Sequence, residues 1–152
     1  MADSEVRVEA EKLRRFTTEV FTRVGLPPED AATEAELLIW ANLRGVDSHG
    51  VLHVQRYVAA VEAGGMNPSP DIQIVNETPA TVLIDADRAF GPVVTTMAMK
   101  MVIKKAREVG IGWGLIRNHT HQGAMGYYPL MAAKEGMVGM AVVAGAPEMA
   151  VH

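Results

Sequence analysis

Apolar residues recur at Val6, Ala10, Leu13, Phe16, Val20 and Val24, the three-and-four spacing that lays a stripe along one helix, and Gly25 stops it. Pro27-Pro28-Glu29-Asp30 opens a second helix, because proline is tolerated in a first turn and acids there complement the helix dipole. Leu37, Leu38 and Ala41 carry its apolar face toward Gly45. After a polar corner, Val51, Val54, Val58 and Val61 mark a third helix ended by Gly64-Gly65, and Pro68 and Pro70 forbid continuation. The spacing then changes to the strand period over 71–75 and to a short β-branched run over 80–85, which predicts a pair of strands. A helix follows from Gly91-Pro92 through Val94, Ala98, Met101, Val102 and Ala106 to Gly110. Residues 113–117 read as a strand, 124–135 as a helix and 137–143 as a further strand. This order predicts an α/β chain: a helical N-terminal segment over residues 1–68, then the first part of a mixed α/β domain over 69–152.

Composition narrows the picture. The chain has 152 residues, 49% of them hydrophobic, enough for a core of one to one and a half domains. A net charge of −4 leaves no basic surplus to condense on phosphate backbones or anionic lipid, so nucleic acid and membrane are not expected partners. No apolar run approaches the roughly 20 residues that span a bilayer, and no leader pattern precedes Arg7. The absence of cysteine removes disulfides, thiolate metal sites and cysteine nucleophiles, and makes the cytoplasm the default setting. Met97, Met99 and Met101, from a total of 10 methionines against 3 phenylalanines, read as flexible core filling. The strand expected at 137–143 lies close to His152, so a sheet of so few strands would keep an open edge and an uncovered face. The expectation is a fragment, truncated at its C-terminus.

Candidate chemistry gathers at two corners. Asp47-Ser48-His49-Gly50 joins the second and third helices, and Arg117-Asn118-His119-Thr120-His121-Gln122-Gly123 joins a strand to a helix. Imidazole exchanges protons near neutral pH, and neighbouring Asp and Ser can fix its tautomer. The plainer reading makes Ser48 or Asp47 the cap of the third helix and His49 a bystander. Arg44, Arg56 and Arg117 flank the corners and could clamp a carboxylate, or simply be solvated. His119 and His121 could bind a metal with His49 or His53, but no diagnostic ligand spacing such as H-E-x-x-H is present, and no metal is expected. A Ser-His-Asp hydrolase lacks G-x-S-x-G, and sequence-adjacent Asp47, Ser48 and His49 seldom face one another as a triad must. Gly110-Ile111-Gly112-Trp113-Gly114 leads from helix to strand, the reverse of a dinucleotide fingerprint. Gly123 and Gly126 precede a helix and could offer backbone donors to an anion.

The two corners give the chain a family resemblance. Arg44-Gly45-Val46-Asp47-Ser48-His49-Gly50-Val51-Leu52, Arg56-Tyr57-Val58, Gly64-Gly65-Met66-Asn67-Pro68, Ile84-Asp85-Ala86-Asp87, Phe90-Gly91 and Gly123-Ala124-Met125-Gly126-Tyr127-Tyr128 resemble, in order, the type 2 malate/L-lactate dehydrogenase family. That family includes ureidoglycolate, sulfolactate and diketogulonate oxidoreductases and cyclic imino-acid reductases, and the resemblance covers about the first half of its pattern. It implies a fold unlike the Rossmann fold, NAD or NADP as cofactor, a small 2-hydroxy or 2-oxo acid as substrate, and a homodimer. By position it makes His49 the proton donor, Ser48 the residue that positions it, and His121 the second active-site histidine near the nicotinamide. His53 stands where many members carry a carboxylate-gripping arginine, so Arg56 and His53 become the expected substrate contacts. His119 and Gln122 replace a serine and a phenylalanine of many relatives, and Ala144-Gly145 replaces a polar pair, so cofactor contacts are expected at His119, Gly123 and Gly145. The isolated chain is expected to be inactive or feeble. The alternative is a non-catalytic, truncated interaction or oligomerisation module whose N-terminal helices bury an exposed face against a partner.

Overall fold

A computed structural model describes residues 7–145. Three helices come first: α1 (Ala10–Arg23), α2 (Pro28–Asn42) and α3 (His53–Glu62), with a 3-10 turn at Asp47–His49 between the last two. The helix over α1 starts at Ala10; Val6, expected to begin it, lies outside the described residues. Pro28 in the first turn and Glu29 and Asp30 behind it start α2 as the composition requires. The third helix begins two residues later than Val51, at His53, and Leu52 rather than Ser48 or Asp47 occupies its N-cap position, without a side-chain cap bond. The capping role considered for Asp47 and Ser48 is therefore overturned, because the 3-10 turn and Gly50-Val51 intervene and free both side chains for other partners.

The sheet is three-stranded, in the order β1 (Gln73–Glu77), β2 (Thr81–Asp85), β3 (Trp113–Arg117). β1 and β2 form the expected antiparallel pair, although β1 sits two residues later than 71–75 and carries a register shift between Ile74 and Asn76. β2 and β3 run parallel and are joined through α4 (Gly91–Val109), which packs Val94 and Ala98 against Val82 and Ile84. Buried Lys105 of α4 reaches back to the turn between β1 and β2, donating to Glu77 at 2.8 Å and to the Thr78 carbonyl at 2.6 Å. A short helix, α5 (Tyr127–Lys134), closes the described elements, shorter at both ends than the 124–135 reading.

The glycines of 110–114 are explained by packing rather than by ligand binding. Gly110 ends α4 in the left-handed region at φ 87°. A Cβ at Gly112 would lie 2.1 Å from the Val102 carbonyl oxygen, so the chain enters β3 pressed against the backbone of α4. Met99 fills the core beside Ile103 and Tyr128, as the methionine content suggested.

The strand expected at 137–143 does not form. A Cβ at Gly139 would lie 2.7 Å from the Pro129 backbone, so the segment lies against α5 and is not paired with β3. Val138, Met140, Val142 and Val143 stay exposed. β propensity needs a ladder partner to become a strand, and the segment instead borders a cleft of about 340 Å³ with Trp113, Leu115 and Ile116 on its other wall.

The contact at Gly112 gives a direct test. Gly112→Ala forces backbone against backbone, and chemical denaturation should register a loss of about 1–3 kcal/mol, the usual range for overpacking. An unchanged midpoint would show that β3 and α4 can separate freely.

Candidate active site

The corner between α2 and α3 is pinned by Asn42. Its Nδ2 donates to Asp47 Oδ1 at 2.5 Å, and its Oδ1 accepts the Val51 N–H at 2.9 Å. Gly50 makes this possible: a Cβ there would lie 2.3 Å from Asn42 Oδ1. Asn42 was not singled out from the sequence, since an amide at a helix end has many uses and only the fold brings it over Gly50. The pinned turn holds His49, with Ser48 Oγ 3.0 Å from its Nδ1, which leaves Nε2 as its free nitrogen.

The second corner is set by backbone contacts. Asn118 lies in the left-handed region at φ 54°, as do Asp87 and Arg88 at 45° and 59°, and the Arg88 N–H donates to the Asn118 carbonyl at 2.7 Å. Thr120 donates from Oγ1 to the Ala89 carbonyl at 2.9 Å. Residues 121–122 then cross the start of α4 so closely that a Cβ at Gly91 would lie 2.2 Å from the His121 carbonyl oxygen. Gly123, at φ 65°, is buried against Leu37, where a Cβ would lie 2.4 Å from Cδ2.

These corners bring His49, His53 and His121 together. Ring centroids are 4.7 Å apart for His53 and His121, 5.6 Å for His49 and His121 and 6.2 Å for His49 and His53. Arg56 lies one residue before Tyr57 on the same helix and, among the described residues, has no ion-pair partner. The other candidate cations are engaged elsewhere: Arg117 donates to Asp85 at 2.8 Å, and Arg44 lies 4.1 Å over the Trp40 ring. His119 is outside the cluster; its Nδ1–H donates to the Thr120 carbonyl at 2.8 Å, and it borders the cleft beside β3 with Gln122. Gly145 is exposed, next to Ala144 at the rim of that cleft. Among the described residues, no three His, Asp or Glu are placed to hold a metal ion, and no helix is long and apolar enough to cross a membrane.

Protonation follows from the partners. The Gly123 N–H donates to His121 Nδ1 at 3.2 Å, and an N–H can only donate, so Nδ1 holds the lone pair. The Tyr57 hydroxyl, 2.6 Å away, therefore donates as well. Neutral His121 carries its proton on Nε2 and presents a fixed donor. Burial, then the charges of His53, His49 and Arg56, lower its pKa to about 4. His53 is also lowered, chiefly by burial and against the opposing pull of the Ser48 carbonyl, to which its Nε2–H donates at 2.8 Å. Burial raises the Tyr57 phenol. Tyr57 is the residue that reading the sequence missed as part of this site: tyrosine at an amphipathic helical position reads as core, and the core is where its ring lies.

A family profile described as malate/L-lactate dehydrogenase matches residues 8–152. A malate dehydrogenase of Pyrococcus abyssi is 46% identical over 145 residues, 95% of this chain and 40% of the relative. A ureidoglycolate dehydrogenase (NAD(+)) of Escherichia coli O157:H7 is 32% identical over 142 residues, 93% of this chain and 41% of the relative. The solved malate dehydrogenase of Pyrococcus horikoshii OT3 superposes with a TM-score of 0.84 at 46% identity, over 86% of this chain and 38% of that one. The chain thus spans about 40% of the length of the curated relatives it matches.

The hydrogen bonds on His121 make its titration a test. By NMR, His121 should titrate with a midpoint of about 4. In Tyr57→Phe the midpoint should rise, because one of the two bonds favouring the neutral ring is gone; an unmoved midpoint would leave the shift to burial and the neighbouring charges. Since the folded value lies below the unfolded 6.5, the contribution of His121 to stability should be full above pH 6.5 and be lost as pH falls toward 4.

Proposed function

The chain belongs to the malate/L-lactate dehydrogenase family, and from that premise we propose that its protein is an NAD- or NADP-dependent oxidoreductase of small 2-hydroxy acids and their 2-oxo or imino counterparts. The observation that carries this reading is the convergence of His49, His53 and His121, with ring centroids 4.7–6.2 Å apart, beside Arg56. The printed name of the ureidoglycolate relative supports a nicotinamide cofactor. The same resemblance favours a homodimer, the cysteine-free composition favours the cytoplasm, and the change in hydrophobic spacing favours a division of the chain at residues 68 and 69.

The cleft beside β3 suits a flat, largely apolar ring bearing an amide. Ala98, Met99, Val102 and Met125 line it, His119 borders it, and the buried Gln122 carboxamide oxygen has no partner among the described residues. His119 and Gln122 would meet such a ring, with Gly145 beside the rim, while Gly123 contributes by fixing His121. A bound dinucleotide supplies or takes the hydride.

The chain's own residues do the rest. When a carbonyl is reduced, negative charge grows on its oxygen and a proton must reach it. His49 is the proton donor through Nε2, with Ser48 holding the opposite nitrogen. Neutral His121 holds the same oxygen or the carboxylate through Nε2–H without adding a second charge. The substrate carboxylate falls to Arg56, because His53 has committed Nε2–H to Ser48 and can add a donor only as imidazolium.

The rival reading, a non-catalytic interaction module, draws on exposed Phe16, Leu43 and Leu52 among the N-terminal helices, but it gives the histidine convergence no purpose.

One experiment separates them: NAD(P)H oxidation by the whole protein, rather than by this chain alone, with a panel of 2-oxo and cyclic imino acids, for wild type, His49→Ala and Arg56→Ala. His49→Ala should lower kcat by about 10²-fold or more, the span of general acid catalysis, without lowering the melting temperature. Arg56→Ala should chiefly raise KM. Wild-type turnover in His49→Ala would end its role as proton donor, and no oxidation with any acid of the panel would end the enzyme reading.

A further inference from the structure

Glu34 lies within α2, fully buried, and neither of its carboxyl oxygens has a hydrogen-bond partner among the described residues. Unpaired charge in such surroundings is strongly disfavoured, so the group sits as the neutral acid. Burial alone raises its pKa well above the ordinary carboxylate range.

Glu34 lies one helical turn from Ala31 and Leu38, which pack in one cluster with Tyr57 of α3, and from Leu37, which packs in another with Tyr128 of α5, so a charge at Glu34 acts on two fully buried phenols. Of the other elements packed on α2, α1 brings Arg14, which pairs with Glu36 at 2.7 Å, and buries Thr17 and Phe21; the first turns of α4 bury Val94, Thr95 and Thr96. The 3-10 turn, with Asp47 and His49, meets α2 at Asn42, eight residues and about 12 Å further along the helix axis.

The two phenols fasten consecutive residues of the site. Tyr57 donates to His121 Nδ1 at 2.6 Å, and Tyr128 donates to the Gln122 carbonyl. A charge appearing at Glu34 acts on both fastenings at once.

We propose that Glu34 is a pH-sensitive positioning residue for His121: as the neutral acid it leaves Tyr57 and Tyr128 seated on residues 121–122, and as the carboxylate it draws water into the core and releases them. The proposal rests on His121 as a site residue, as read above. The direction follows from linkage. The folded chain holds this proton more tightly than the unfolded one, whose glutamate titrates near 4.5, so the contribution of Glu34 to stability is full below that pH and is lost as pH rises through the folded value.

Glu34→Gln keeps the shape and removes the titration. In wild type and E34Q, kcat, melting temperature and the His121 Nδ1 nitrogen shift are followed into the alkaline range, with the Glu34 carboxyl carbon followed in wild type. In wild type, kcat should drop about tenfold per pH unit beyond the midpoint of Glu34, with the melting temperature and the His121 signal changing at that same midpoint. In E34Q all three should stay level across that range, and KM should match wild type at neutral pH. An alkaline loss that persists in E34Q overturns the proposal, as does a Glu34 carboxyl that never ionises. If E34Q does not fold, the wild-type titrations decide: a shared midpoint for Glu34 and His121 supports the proposal, and separate midpoints overturn it. A protein without dehydrogenase activity would defeat the functional reading, while the two NMR titrations would still report whether Glu34 governs the position of His121.

Discussion

The hydroxyl of Tyr57 lies 2.6 Å from Nδ1 of His121, while its ring is enclosed by Phe21 and Phe90 and stacks on His53 at 5.2 Å. One side chain thereby ties the helical unit to the turn after β3. The aromatic pairs are each worth about 0.5–1.5 kcal/mol beyond burial, and the hydrogen bond about 1 kcal/mol net. Their larger effect is directional. Packing locks the ring, the locked ring aims the hydroxyl, and the hydroxyl together with the Gly123 N–H decides which imidazole nitrogen of His121 carries a proton.

Much of this was legible in the sequence because it is local. The stripe from Leu13 to Val24 gave a helix, Gly110 ended one where expected, and the turn from Gly45 to Gly50 stood out as a polar corner between apolar runs. What was not legible depends on contacts distant in sequence. Asn42 becomes a pin only when Gly50 passes over it. Residues 137–143 have the composition of a strand, but Gly139 lies against the backbone of Pro129 instead of beside β3. The separation of His119 from His121 follows from the turn between them, where Thr120 is fastened to the Ala89 carbonyl: His119 borders the cleft beside β3 and His121 joins the histidine cluster. The two corners were recognisable as candidates; their meeting, and the tyrosine that joins them, needed the fold.

Three imidazoles and a guanidinium in one neighbourhood create an electrostatic constraint with a functional side. Burial lowers the readiness of His121 and His53 to ionise, and the neighbouring charges add to this. Two uncharged rings with assigned donors result, leaving Arg56 as the cation free to meet an anion. An incoming carboxylate changes that balance, since it favours a proton on His53 as it pairs with Arg56. Substrate charge and site protonation are thus coupled by the same short distances that bring the rings together.

Gly91 opens α4 directly beneath the His121 carbonyl, with no room for even a methyl group between the two backbones. The first residue of a helix and the turn that carries the second histidine are therefore not independent units of inheritance. Any lineage that enlarges position 91 must first reroute the turn, and any chimera that imports a turn on the same path must import a glycine with it. Variation in the chemistry of the turn is consequently channelled into its side chains, such as His119 and Gln122, while its course past α4 stays fixed.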